Sequence, residues 1–492
     1  MIDPTVLHIL LPQVAAAAGL SLVGAAVAER LGGFRWLGGL AAGLLLSGAV
    51  LGQLAPGLHG RLFIGGVDEQ RALDARCLQV EADVRALDAT RVSRGHVEAM
   101  AEEWMAGVEA GEKRVEAIRA RYAAVLDGWA TAAALMLAFA CGAGARLRRW
   151  MPSFVDAAPL ALAAAAAAGG GVLIATRLFG RPDPGGDASL AFAALLLAVV
   201  CGSTPLARSW ASRCGRRADD RGTASATDDQ PDVAQSAALL LALAAMIGLA
   251  MMPTTGQGDG AAAGDPAGPP AFGYAAAAAA AGLAVAALLV GRFVKPATLR
   301  GLGALALIAG GWFALQVHPL ALALLGGLAV CIPGGDGEDR DGCAAADGPD
   351  DDDGGRAPRD WRDGLLWFIG PVAACVVAMR VDLAAAGPVA LVGWAVLLAI
   401  LIGDARALGA WLGGRTLGGR STGQAMRLGV AACVGGPLPL VLATTASEAI
   451  GEAMLAAVVL AHLLVGGVAP LVMRWSWALW PGDRDGGEPP VQ

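Results

Sequence analysis

Residues 386–412 read AGPVALVGWAVLLAILIGDARALGAWL, with Asp404 and Arg406 set inside an otherwise apolar run. The run exceeds the roughly 20 residues that cross the hydrocarbon core of a bilayer. A charged side chain at that depth is costly, so it faces protein or water and is a functional candidate by default. Apolar runs of similar kind recur at 7–28, 36–54, 122–143, 155–176, 187–207, 233–252, 272–291, 299–316, 319–333, 364–380, 428–447 and 452–473, which makes thirteen. The short runs 299–316 and 319–333 meet at His318-Pro319. They read as two spans with a tight turn, one kinked span being the alternative. The first run lacks a basic leader and a small-residue cleavage site, so it reads as a span and not a signal peptide.

Composition agrees. Of 492 residues, 56% are hydrophobic and 16% charged, and the mean hydropathy is +0.57. Soluble domains are nearer 45–50% apolar and about 25% charged. The shift excludes a soluble enzyme, a nucleic-acid binder and a disordered chain. No HExxH, GxSxG, P-loop or paired catalytic carboxylates occur, so no enzyme is expected. The eight Cys are scattered without a CxxC, and neither a disulfide framework, a metal site nor a cofactor is indicated.

Basic residues orient the spans. With the N-terminus outside, the loops on the cytoplasmic side hold 22 Lys and Arg, while the short outer loops hold only Arg177, Arg181 and Arg380. That asymmetry predicts thirteen spans, N-out and C-in. The chain then divides into two spans in 1–56, an insert at 64–121, spans three to nine in 122–333, a linker at 334–363, spans ten to thirteen in 364–474, and a cytoplasmic tail at 475–492.

In the insert, Leu73, Cys77, Val80, Val84 and Leu87 recur at steps of four and three. Val97, Met100, Trp104, Val108, Val115, Ile118 and Tyr122 do nearly the same, with Gly111 filling one slot. A period near 3.5 is a coiled-coil signature, and Thr90 to Gly95 supplies the break. An antiparallel helical hairpin on the outer face is expected, its second arm running into the third span. It serves either partner docking or packing against itself alone. The stretch 334–363 is Gly- and Asp-rich without periodicity and reads as a disordered linker.

The ionisable residues inside spans are few: Asp404, Arg406, Asp127 near the start of the third span and His462 midway along the last. Asp404 and Arg406 lie two apart, on different helix faces, so they cannot pair directly. Two spans are interrupted by Gly and Pro. Gly202-Ser203-Thr204-Pro205 breaks the fifth, and Gly435-Gly436-Pro437-Leu438-Pro439 the twelfth. On the span count they run in opposite directions, as broken helices of inverted-repeat transporters do.

Taken together these stretches resemble the monovalent cation:proton antiporter superfamily, in its Kef-type and bacterial sodium/proton exchanger branch. Residues 29–52 (ERLGGFRWLGGLAAGLLLSGAVLG) are similar to that family's second span, and 311–333 (GWFALQVHPLALALLGGLAVCIP) to a later conserved region. Residues 364–420 match a further block, so the likeness is collinear over nearly the whole chain outside 64–121 and the linker. The resemblance implies an all-helical inverted-repeat antiporter fold with two crossing broken helices, a homodimer, and residence in a bacterial inner membrane. It implies a monovalent cation and a proton as substrates, within a lipid bilayer and with no nucleic-acid partner.

At the family's charged positions this chain departs from it. The paired residues of the sixth span match Gln235-Ser236, and serine cannot hold a titrating proton. The Gly-Lys of the eleventh span matches Gly403-Asp404, and the Asn-x-Arg-Gly of the twelfth falls at Val434-Gly435-Gly436. These departures leave two expectations. One is an antiporter whose coupling carboxylate has moved to Asp404. The other is a non-transporting relative, a membrane scaffold or sensor acting through the 64–121 hairpin.

Overall fold

The computed structural model describes residues 4–89, 94–143, 147–179, 297–313, 318–330, 361–383, 387–416, 422–433, 436–445 and 447–479, with isolated positions at 241, 244, 282, 283 and 285–287. Among these every regular element is a helix. We label the longer ones α1 (Pro4–Arg30), α2 (Arg35–Leu46), α3 (Val67–Ala89), α4 (Arg94–Ala143), α5 (Leu147–Phe179), α6 (Ala297–Phe313), α7 (Pro319–Val330) and α8 (Trp361–Arg380). Then come α9 (Pro388–Ile400), a π-helical turn at Leu401–Ala405, α10 (Arg406–Thr416), α11 (Thr422–Cys433), α12 (Pro437–Thr445) and α13 (Glu452–Leu479).

Among the described residues six stretches are long and apolar enough to cross a membrane: Val6–Arg30, Arg35–Leu54, Glu102–Ala143, Ala157–Phe179, Pro388–Thr416 and Glu452–Val472. Pro319–Val330 and Gly364–Arg380 are shorter apolar helices. The chain is an integral membrane protein. The sequence runs at 187–207, 233–252 and 272–291 lie outside the described residues, apart from the isolated positions, as do 331–360. Helix α8 begins at Trp361, so the last three residues assigned to the linker are helical.

Two details differ from, or sharpen, the reading of the sequence. The second span is not one helix. Helix α2 stops at Leu46, and Ser47 takes an extended conformation while its hydroxyl donates to the Leu44 carbonyl at 2.6 Å. That local bond competes with the helix ladder, which apolar periodicity alone does not reveal. Short turns at Leu51–Leu54, Pro56–His59 and Gly60–Ile64 come next. Buried Gln13 ties them to α1 by donating from Nε2 to the Leu62 carbonyl at 3.1 Å. Around His318-Pro319, α6 and α7 fold back on one another: a Cβ at Gly326 would lie 2.6 Å from Ile308 Cδ1, and one at Gly311 would meet Leu322.

Apolar burial does little to hold helices together in lipid, because the tails are as apolar as leucine. Close packing has to do it. Helix α10 presents Gly409 and Gly413 to α5 at a four-residue spacing. A Cβ at Gly409 would stand 2.5 Å from the Ala163 carbonyl oxygen, and one at Gly413 2.9 Å from that of Pro159. Backbone therefore rests on backbone. At the centre of the bundle lies α12, in which every residue from Pro437 to Ala443 is buried. It touches α4, α8 and α13.

Helices α3 and α4 pair antiparallel. Gln70 meets Arg119 at 3.4 Å, Leu73 seats against Gly111, and Arg76 lies beside Gly107. The seam positions Leu73, Cys77 and Val80 are sheltered, as are Trp104, Val108, Gly111, Val115 and Ile118, while most of their neighbours on the arms are exposed. Helix α4 runs on without a break into its apolar half. Its 50 residues span roughly 75 Å at 1.5 Å per residue, far more than a bilayer core requires.

Candidate functional site

The π turn at Leu401–Ala405 interrupts the apolar stretch Pro388–Thr416. Its wider winding inserts one residue into the ladder and rotates α10 relative to α9, a distortion frequent at functional sites. The turn touches α5, α11 and α13. Gly403 faces α13, where a Cβ would lie 3.7 Å from Val465 Cγ2. One turn further along α10 is Arg406, and one turn back along α13 is His462. Each of the two lies within one turn of that contact.

Arg406 is 3% exposed and His462 1% exposed. The Arg406 charge acts electrostatically on the His462 ring. His462 donates from Nδ1 to the Val458 carbonyl at 2.9 Å. In the neutral ring that bond leaves Nε2 as the acceptor. Among the described residues Nε2 has no hydrogen-bond partner. A buried cation within electrostatic reach of a buried imidazole is an uncommon arrangement inside an apolar bundle. Sequence singled out both residues as lone charges but not their juxtaposition, since they sit on different helices.

Asp404 faces the other way. It is exposed, and among the described residues it makes no ion pair or hydrogen bond. Asp127 is engaged: its carboxylate accepts from Arg380 at 2.8 Å, joining α4 to α8 at a partly exposed position. Gly436 is buried and non-helical, between the end of α11 at Cys433 and the start of α12 at Pro437. Pro437 and Pro439 are buried within α12, and Pro437 lies against Gly370 of α8. Helix α12 contacts α13, the helix that carries His462.

Gln235, Ser236, Gly202, Ser203, Thr204, Pro205 and Gly435 lie outside the described residues. The structure thus brings together Arg406 and His462, sets Asp404 on the opposite face of the same helix, and keeps Asp127 apart with its own partner. Among the described residues no cluster of His, Cys, Asp and Glu has the makings of a metal site. No family model matches the sequence, and no curated protein matches it.

Proposed function

We propose that this chain exchanges a monovalent cation, sodium or potassium, for protons by alternating access, with Asp404 as the coupling carboxylate. One observation supports the reading above others. Asp404 is an exposed carboxylate, unpaired among the described residues, on a π turn deep within a 29-residue apolar stretch. Facing hydrocarbon it would cost about 2.5–3.5 kcal/mol at the centre of a span. Facing a water-filled pathway it costs little and binds a cation or a proton by turns.

Arg406 and His462 then play the complementary part. A fixed positive charge on the inner side of the helix repels a travelling cation from the bundle core and confines it to the Asp404 side. Helix α12, which starts after the non-helical Gly436, packs on α13, and a break in a transporter helix is a usual place for neutral cation ligands. The finer architecture belongs to the same proposal. It comprises thirteen spans in two inverted repeats, the N-terminus outside and the C-terminus cytoplasmic, the α3–α4 hairpin on the outer face, and a homodimer in a bacterial inner membrane.

Everted vesicles containing the chain, loaded with a pH-sensitive dye, test this reading. Addition of sodium, potassium or lithium is expected to release protons from the lumen.

A second reading, a scaffold or sensor acting through the hairpin, is favoured by a separate observation. The seam shelters the hairpin's own residues but leaves Leu78 on one arm and Met105 on the other 67% and 60% exposed. The antiparallel register sets these two apolar side chains nearly level with each other. Silence toward all three cations in the vesicle assay would favour this reading.

A further inference from the structure

We propose that the groove between α1, α2 and the second half of α13 is a seat for one acyl chain of an anionic phospholipid, whose headgroup binds Arg30. The groove has a volume of about 630 Å³ and is lined entirely by apolar side chains and glycines, among them Leu20, Val27, Leu31, Leu45, Gly467 and Leu471. It follows α1 from Leu20 to Leu31, roughly 17 Å at 1.5 Å per residue. That is close to half of the roughly 30 Å hydrocarbon thickness, the depth reached by the tails of one leaflet.

The end of the groove supplies the charge. Helix α1 closes there in a Schellman turn: Gly33 N–H donates to Ala28 C=O and Gly32 N–H to Glu29 C=O, with Gly32 at φ 77°. The turn satisfies the local backbone and leaves Arg30 exposed on the last helical residue. Two basic residues flank the turn, and their situations differ. Arg35 pairs with Glu29 and stacks over the Trp367 ring, 3.5 Å from its centroid. Arg30 has no ion pair among the described residues. An apolar channel one leaflet deep with a lone arginine at its mouth matches a lipid tail beneath an anionic phosphate. A zwitterionic headgroup gains less from that arginine, since its own ammonium offsets the phosphate.

The test uses the full chain in detergent, with phosphatidylglycerol or phosphatidylcholine added at equal concentration and retained lipid counted by native mass spectrometry. The parent is expected to retain phosphatidylglycerol about five-fold better, the effect of one basic residue at a membrane surface. Arg30→Gln is expected to erase that preference while still holding lipid. Gly467→Phe fills the groove where a Cβ meets nothing within 4 Å, and is expected to lower retention of both lipids. Ala41→Phe, from an exposed position lining the groove, gives the same readout if Gly467→Phe does not fold. Equal retention of the two lipids by the parent would overturn the proposal, as would unchanged retention in folded groove-filling variants. A thiol cross-linker that joins Val27→Cys to a second copy, or to residues 180–296 of its own chain, would also overturn it.

Discussion

Asp404 and Arg406 stand two residues apart and face opposite ways: the carboxylate is exposed, while the guanidinium is buried at 3% exposure beside His462. The π turn that ends at Ala405 lies just before Arg406 and contributes to the angle between them. One helix thus carries a negative charge outward and a positive charge inward at nearly the same depth. Neither neutralises the other, and each governs a different face.

The contact that holds this helix in place should be sensitive to a single side chain. Gly409→Leu drives a branched side chain into the Ala163 carbonyl, which is backbone and cannot swing aside. A loss of at least about 1–3 kcal/mol is expected from overpacking. Thermal unfolding in detergent, followed by size-exclusion chromatography, reads it. Gly467→Leu, where a Cβ meets nothing within 4 Å, is the matched control and should melt like the parent.

The hairpin makes a prediction with a built-in rescue. Gly111 sits where the heptad asks for an apolar side chain, and Leu73 from the other arm occupies that space, 2.6 Å from where a Cβ would be. Gly111→Phe should loosen the pair by about 1–3 kcal/mol, raising the rate of proteolysis within α3. Leu73→Ala in the same chain opens the space again and should restore resistance in part.

Much of this was legible in the sequence because it depends on periodicity. The spacing of Leu73, Cys77 and Val80 against Val108, Val115 and Ile118 specified the hairpin seam, and even the Gly111 slot stood out. The uninterrupted passage of α4 into its apolar half was legible for the same reason. The break at Ser47 was not, because it turns on one hydroxyl bonding its own backbone within an apolar run. Nor was the nearness of Arg406 to His462, which depends on how α13 packs against α9 and the π turn. Gln13 was missed as well: a single amide in an apolar helix gives no sign that a carbonyl at Leu62 waits for it.

His59 links the interrupted second span to pH. Its ring packs over Gly48 and Gly52, with Phe63 at 5.6 Å between centroids. Burial holds its pKa below the ordinary 6.5, so the packed state favours the neutral ring. The unpacked state therefore takes up a proton first as pH falls. The stabilisation is complete above about pH 6.5 and is lost as pH drops through the window down to the depressed value. Amide exchange across 51–64, corrected for intrinsic rates, should show level protection above about pH 6.5 and falling protection as the pH drops below it. In His59→Gln that pH dependence should disappear.

Asp127 provides a contrast to Asp404. Its bond to Arg380 lies between side chains 57% and 40% exposed, and such pairs contribute about 0–1 kcal/mol. Asp127→Asn is expected to shift the melting temperature slightly and to leave cation-driven proton movement at the parental level. A loss of exchange with unchanged folding would move the coupling role from Asp404 to Asp127.

The most direct measurement compares the parent with Asp404→Asn in proteoliposomes carrying an internal pH dye, after both have been shown to be monodisperse and equally inserted. An imposed sodium or potassium gradient should drive proton movement in the parent. In Asp404→Asn, which keeps the size and polarity of the side chain but not its charge, that movement should vanish. Ser236→Asp, which returns a carboxylate to the position where the resemblance places one, is expected to rescue it at least in part. Brisk exchange that survives Asp404→Asn would contradict the account.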